Sequence, residues 1–206
     1  MSGGRTRAET IAMVEQLQAP VFVGFDFSFG FPSWFAREHG CGNIDAVWAL
    51  AASAGEAMLA PTPPFWRERC NVPPERRFRR CEVELRAAGA PAKSIFQLVG
   101  NGQVGAGSVR GMPLLARLRA QGFAIWPFDA ASDRTAFEIY PSLLRQIGHA
   151  VPISSHVRAA MCQDVNARDA VESACVMWEH RESFAVLPAT TDPVTLIEGD
   201  VWSPSR

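Results

Sequence analysis

Three carboxylates in this chain stand where a charge is costly to keep. Asp26 ends the apolar run VFVGF, Glu138 lies inside AFEIY, and Asp169 lies in NARDAVESA. An ionised carboxyl in apolar surroundings must be hydrogen-bonded, paired or bound to a metal. Three of them converging with few bases nearby would repel one another unless divalent cations neutralised them. Oxygen-only donors suit Mg²⁺ or Mn²⁺ rather than zinc. Two such ions side by side can activate water and stabilise the leaving oxygen in phosphodiester cleavage. The plainer alternative is that each acid caps or pairs separately; Asp26 would then accept backbone N–H bonds in the turn after it.

The elements that must position these acids follow from periodicity. Val21, Phe22, Val23 and Phe25 form a run typical of a strand buried on both faces, and Gly30 and Pro32 break the backbone beyond it. Thr6 and Glu9 make a capping box, and Ile11, Val14 and Leu17 continue at helical spacing. Residues 43–59 read as an alanine-rich helix stopped by Pro61, Pro63 and Pro64. Residues 33–90 are expected to be a mostly helical insertion in one domain spanning 1–206. Within it, residues 65–86 hold seven arginines among aromatics, a pattern able to track phosphates. Four glutamates dilute that patch, which favours an ordinary solvated surface.

Farther along, residues 93–99 read as a strand, 100–107 as a glycine-rich turn and 114–119 as a helix. Strands are expected at 123–128 and 136–140, helices at 143–147 and 164–180, and a last strand within 194–202. On the 164–180 helix, periodicity allows two faces, one of which turns Asp169 to the sheet with Ser173 one turn on.

Composition narrows the classes. The chain has 206 residues, 48% of them hydrophobic, and a formal charge of −1, so it has no global attraction to nucleic acid. Five cysteines are odd in number and irregular in spacing, which supports neither a disulfide framework nor a zinc ribbon. The start MSGGRTR has no apolar signal core, and no apolar run is long enough to span a bilayer. A reduced cytoplasm is the expected setting.

Two motifs compete with the acids. Gly100–Gly105 fits G-x-G-x-x-G after an expected strand, with Asp129 where a ribose-binding acid would stand. Gly107, Gly111 and Pro113 oppose the helix that this fingerprint requires. Asp26-Phe27-Ser28-Phe29-Gly30 resembles a nucleophile elbow but has Asp26 in place of its first glycine. The four histidines lack metal spacing and read as surface or capping residues, and Trp126 and Trp178 read as core.

GFDFSFGFP, FRRCE, KSIFQLVGNGQVGAGSVRGMPLL, IWPFD, EIYP and RDAVESA, in that order, resemble a bacterial family of predicted RNase H-like nucleases. The likeness runs from about Arg5 to Trp202. It implies an α/β fold with an RNase H-like mixed sheet and a helical insertion, and Mg²⁺- or Mn²⁺-dependent nuclease chemistry. In that scheme Asp26 is the strand-end acid, Glu138 the acid of E-x-x-P, and Asp169 the helix acid, as in Holliday-junction resolvases. Where relatives often carry a further acid three residues earlier, this chain has Asn166.

Members of that family usually begin with strands ahead of the first helix, the first carrying another aspartate, whereas this chain begins at the helix. Either the start lies upstream of Met1 or, if those residues are truly absent, the likeness implies a degraded copy with a metal site one acid short. It also implies an open edge on the strand at 21–26, a pairing hazard that a partner chain or a second copy would cover. Arg80, Lys93, Gly102 and Gln103 are the expected phosphate contacts, from charge and backbone access. The expected substrate is nucleic acid or a small phosphoester. The alternatives are an inactive binding or assembly module of the same fold, and a nucleotide-binding enzyme using the Gly100–Gly105 turn.

Overall fold

The computed structural model describes residues 6–60, 62–70, 72–100 and 104–204. Among these, ten α-helices surround a three-stranded parallel sheet, an α/β arrangement. β1 (Val21–Phe25) pairs with β3 (Arg134–Glu138), and β3 with β2 (Ala124–Ile125), giving the order β1-β3-β2. The register sets Phe25 beside Glu138.

Strand alternation divides the molecule into two packed layers. Val21, Val23 and Phe25 face a cluster built largely from α3 (Ile44–Met58) and α5 (Val104–Ala120), including Val47, Trp48, Val109 and Met112. Phe22 and Phe137 face the other cluster, formed with Val176 and Met177 of α8 (Val165–Glu179), with Phe184 of α9 (Arg181–Phe184) and with Trp202. α1 (Arg7–Glu15) begins at the expected capping box, with Ile11 and Val14 buried. Between β1 and α3 lies α2 (Ser33–Glu38), and α4 (Arg80–Ala87) follows a long irregular stretch. After β3 come α6 (Pro141–Ile147) and α7 (Ser155–Gln163), and α10 (Thr195–Glu198) comes near the end. Residues 33–90 form no separate unit: Phe35, Trp48 and Phe65 share one core with Phe96 and Val109.

Several expectations are corrected. The sheet of the described residues is wholly parallel, not mixed. Residues 93–99 form no strand beyond a single bridge between Gln97 and Trp66. Within 194–202 the chain makes the turn α10 instead of a strand. The helix expected at 114–119 starts at Val104 and runs through Gly105, Gly107, Gly111 and Pro113. Close packing accounts for two of those glycines. A Cβ on Gly105 would lie 2.4 Å from Ile95 O, and one on Gly111 2.6 Å from the Phe27 ring. Tertiary contact outweighs a propensity cost of about 1 kcal/mol per glycine.

Trp178 is 60% exposed rather than core, with the Arg181 guanidinium stacked on its ring at 4.3 Å. Two members of the charged 65–86 stretch, Arg79 and Glu82, are buried rather than solvated. Cys41 and Cys81 are buried and Cys162 is exposed, and all five thiols are free. No helix among the described residues is long and apolar enough to cross a membrane.

Candidate functional site

The carboxyl ends of β1 and β3 open on a small cleft of about 40 Å³, lined by Asp26, Ser28, Glu82, Lys93, Glu138 and Tyr140 among others. Ligands gather at such strand ends in open α/β sheets. The turn after Asp26 is pinned from several elements. The Ser28 N–H donates to Ser108 Oγ of α5 (2.8 Å), and the Phe29 N–H to Glu138 Oε2 (2.8 Å). Trp48 Nε1–H of α3 donates to Phe29 O (2.8 Å). Gly30 has no room for a side chain, since a Cβ would lie 2.3 Å from Ile197 O. That close approach explains the glycine read from sequence only as a chain breaker.

Behind the cleft lies a closed ionic network. Arg79, 1% exposed, donates from Nε to Glu82 Oε1 (2.8 Å) and from Nη1 to Glu138 Oε2 and Glu198 O (each 2.8 Å). Its Nη2 donates to Glu138 Oε1. Burial pushes the Glu138 and Glu82 carboxyls upward, and the Arg79 guanidinium pulls against it. Glu138 thus accepts from the Phe29 N–H and from two Arg79 nitrogens. These contacts occupy most of the roughly four lone-pair sites of a carboxylate.

Asp26 is the opposite case. Its carboxyl makes no hydrogen bond or ion pair among the described residues, so the turn-capping alternative is not what the structure shows. The residue is exposed rather than enclosed in apolar surroundings as expected, although protein packs around its carboxyl from the sheet side. Burial, then the charges of Asp169 and Glu138, raise its pKa to about 6. The register explains the grouping. Glu138 shares the α3–α5 face with Phe25. Asp26, one residue on, continues the alternation toward the α8 side, where Asp169 lies.

Asp169 is partly buried and pairs with Arg145 of α6, itself 41% exposed. Among the described residues no group of three His, Cys, Asp or Glu side chains is placed to hold a metal ion. The donors that suit a divalent cation are Asp26, which is open, and Asp169, held by one accessible pair. Glu138 does not suit it, being committed to Arg79. Mg²⁺ keeps several waters and is commonly held by one or two carboxylates plus substrate phosphates, so a full protein cage is not required of it.

Of the expected phosphate contacts, Lys93 lines the cleft, half-buried, with no ion pair among the described residues. Arg80 does not join it. Arg80 pairs with Asp192 through two contacts (2.6 and 3.2 Å) and with Thr195 Oγ1 (2.5 Å), beside a separate polar hollow of about 140 Å³. Gly102 and Gln103 lie outside the described residues. Asp129, the candidate ribose acid, is taken by Arg119 (2.8 and 2.9 Å) and by the Ile125 N–H (2.9 Å). His149 pairs with Glu172 at 3.0 Å.

Sequence reasoning missed Arg79, Glu82 and Tyr140. The available signal for the first two was R-x-x-E at the start of α4, where the Glu82 carboxylate accepts the Arg79 N–H (3.0 Å) like a capping acid. Tyr140 donates its hydroxyl to Pro91 O (2.6 Å), and burial raises its pKa. It lies within EIYP, where attention went to Glu138. Searches against family models, curated proteins and solved structures give no match for this chain.

Proposed function

We propose that the Asp26 cleft hydrolyses a phosphoester, in nucleic acid or in a small phosphate compound, within an RNase H-like domain that uses Mg²⁺ or Mn²⁺. The observation that carries this reading is the placing of Asp26, a carboxyl with no hydrogen bond or ion pair among the described residues, at a strand end in the cleft that Lys93 also lines. Protein packed around that carboxyl, and then the charges of Asp169 and Glu138, raise its pKa to about 6. A site with surplus negative charge and one open carboxylate favours a cation.

Asp26 and Asp169 would hold the ion, which when bound supplies charge neutralisation and a more acidic water. The chain's own groups supply the rest. With one Asp26 oxygen given to the ion, its other Oδ can orient the attacking water and accept its proton. The Lys93 ammonium can receive a phosphate oxygen as a point charge. The Arg79–Glu138 pair holds the Phe29 N–H, and with it the turn that carries Asp26, in one geometry.

The test is calorimetric titration of Mn²⁺ into the chain and into Asp26→Asn and Asp169→Asn variants. Saturable binding lost in both variants supports one shared site and justifies assays on DNA, RNA and small phosphoesters. A folded chain that binds no Mn²⁺ refutes the reading. A second reading, a non-catalytic binding module, is favoured by one observation: Glu138 is sequestered by Arg79. It gains if Mn²⁺ fails to bind while the fold stays intact.

A further inference from the structure

β1 ends the sheet, and no strand of the described residues lies along its outer side. In a parallel ladder alternate residues serve alternate sides. The Val21 N–H donates to Asp133 O (2.7 Å) and the Ile139 N–H to Phe25 O (3.0 Å). Val21, Val23 and Phe25 therefore serve β3, and the peptide groups of Phe22 and Gly24 point outward. In front of them lies a groove of about 520 Å³, walled by α1 on one side and α8 on the other. Every residue of β1 is only half-buried, although its sequence suits burial on both faces.

We propose that a second copy of this chain covers this edge. Its β1 would add antiparallel to β1 about a two-fold axis through Val23. The sequence VFVGF is self-complementary in that register. Phe22 meets Gly24 of the second copy, Val21 meets Phe25, and Val23 meets its own counterpart. An aromatic ring beside a cross-strand glycine fills the space the glycine leaves.

The walls match the same symmetry. α8 offers Ala170 and Ala174, small enough for close helix approach, next to Trp178 at 60% exposure. α1 offers Met13, and Leu17 follows just beyond its end, each 41% exposed. A two-fold axis sets each wall against its own counterpart. The groove also holds Ser173, whose buried Oγ has no hydrogen-bond partner and would meet the incoming chain.

Size and charge agree. Sixteen residues line the groove, approaching the roughly 20–30 a side of a standard interface. Arg181 is the one charged residue among them, so docking brings together at most one like pair, Arg181 and its own counterpart. This inference stands apart from the hydrolytic reading, because no metal-holding residue lies in the groove.

The test is sedimentation equilibrium of the full chain across the micromolar range. Leu17→Glu and Trp178→Glu variants accompany it, with folding checked by circular dichroism and backbone amide exchange read at Phe22 and Gly24. The expected result is a dimer with both amides protected, weakened about ten-fold or more by either exposed-wall variant. Three results overturn the proposal: a monomer throughout, a dimer indifferent to both variants, or open-ended assembly with the two amides still exchanging freely.

Discussion

Glu138 and Asp26 sit at the ends of neighbouring strands, yet they have opposite fates. Glu138 is locked by Arg79 and the Phe29 N–H on the face covered by α3 and α5. Asp26 stands one residue past its strand, on the other side of the alternation, without a partner and with a pKa of about 6. A satisfied buried carboxylate is part of the architecture, whereas an unsatisfied one at a cleft mouth is available for chemistry. The same contrast separates Arg80, fastened to Asp192, from Lys93, which faces the cleft free of any ion pair among the described residues.

The largest effect is expected behind the cleft. Arg79→Ala leaves two carboxylates buried without their cation and should cost about 3–5 kcal/mol, read as a drop in the urea midpoint. A loss under about 1 kcal/mol would mean that the network is not closed as described. Glu138→Gln keeps the shape but weakens the pairing, and a smaller loss of about 1–3 kcal/mol is expected.

At the mouth the sign reverses. Because the folded pKa of Asp26 is raised from 3.8 to about 6, the native state holds more protons than the unfolded state between those values. Its contribution therefore falls as pH rises through that window. Asp26→Asn should match the parent below the window and exceed it above about pH 6, by roughly 1 kcal/mol after allowance for solvent screening, or about 2–4 °C in Tm. A variant less stable than the parent at pH 7 would place Asp26 among the structural acids.

Smaller still are the surface cations. Lys93→Ala should leave stability within about 0.5 kcal/mol and lower the salt slope of any nucleic-acid binding by roughly 1. Arg80→Ala should lose about 0–1 kcal/mol with no change in that slope. If the two variants exchange behaviour, the cleft has been drawn on the wrong side of α4.

How much of this was readable beforehand varied by element. The capping box at Thr6 and Glu9 placed α1, because that signal is local. α5 could not be read locally: its glycines look like turn residues until Ile95 and Phe27 are seen pressing against them. R-x-x-E at Arg79 looked like solvent-facing charge, because the partner that buries it, Glu138, lies 59 residues away.

What the sequence determined by itself was the α/β class, the strand that leads into Asp26, and the burial of one acid, Glu138. Apolar periodicity and capping chemistry are carried by neighbouring residues, so they survive without a fold. Tertiary structure alone decided which acid is spent and which is open. That choice depends on strand register, which sets Glu138 toward Arg79 and continues Asp26 toward Asp169. It depends as well on which strand lies at the sheet edge, and both are properties of contacts between segments distant in the chain.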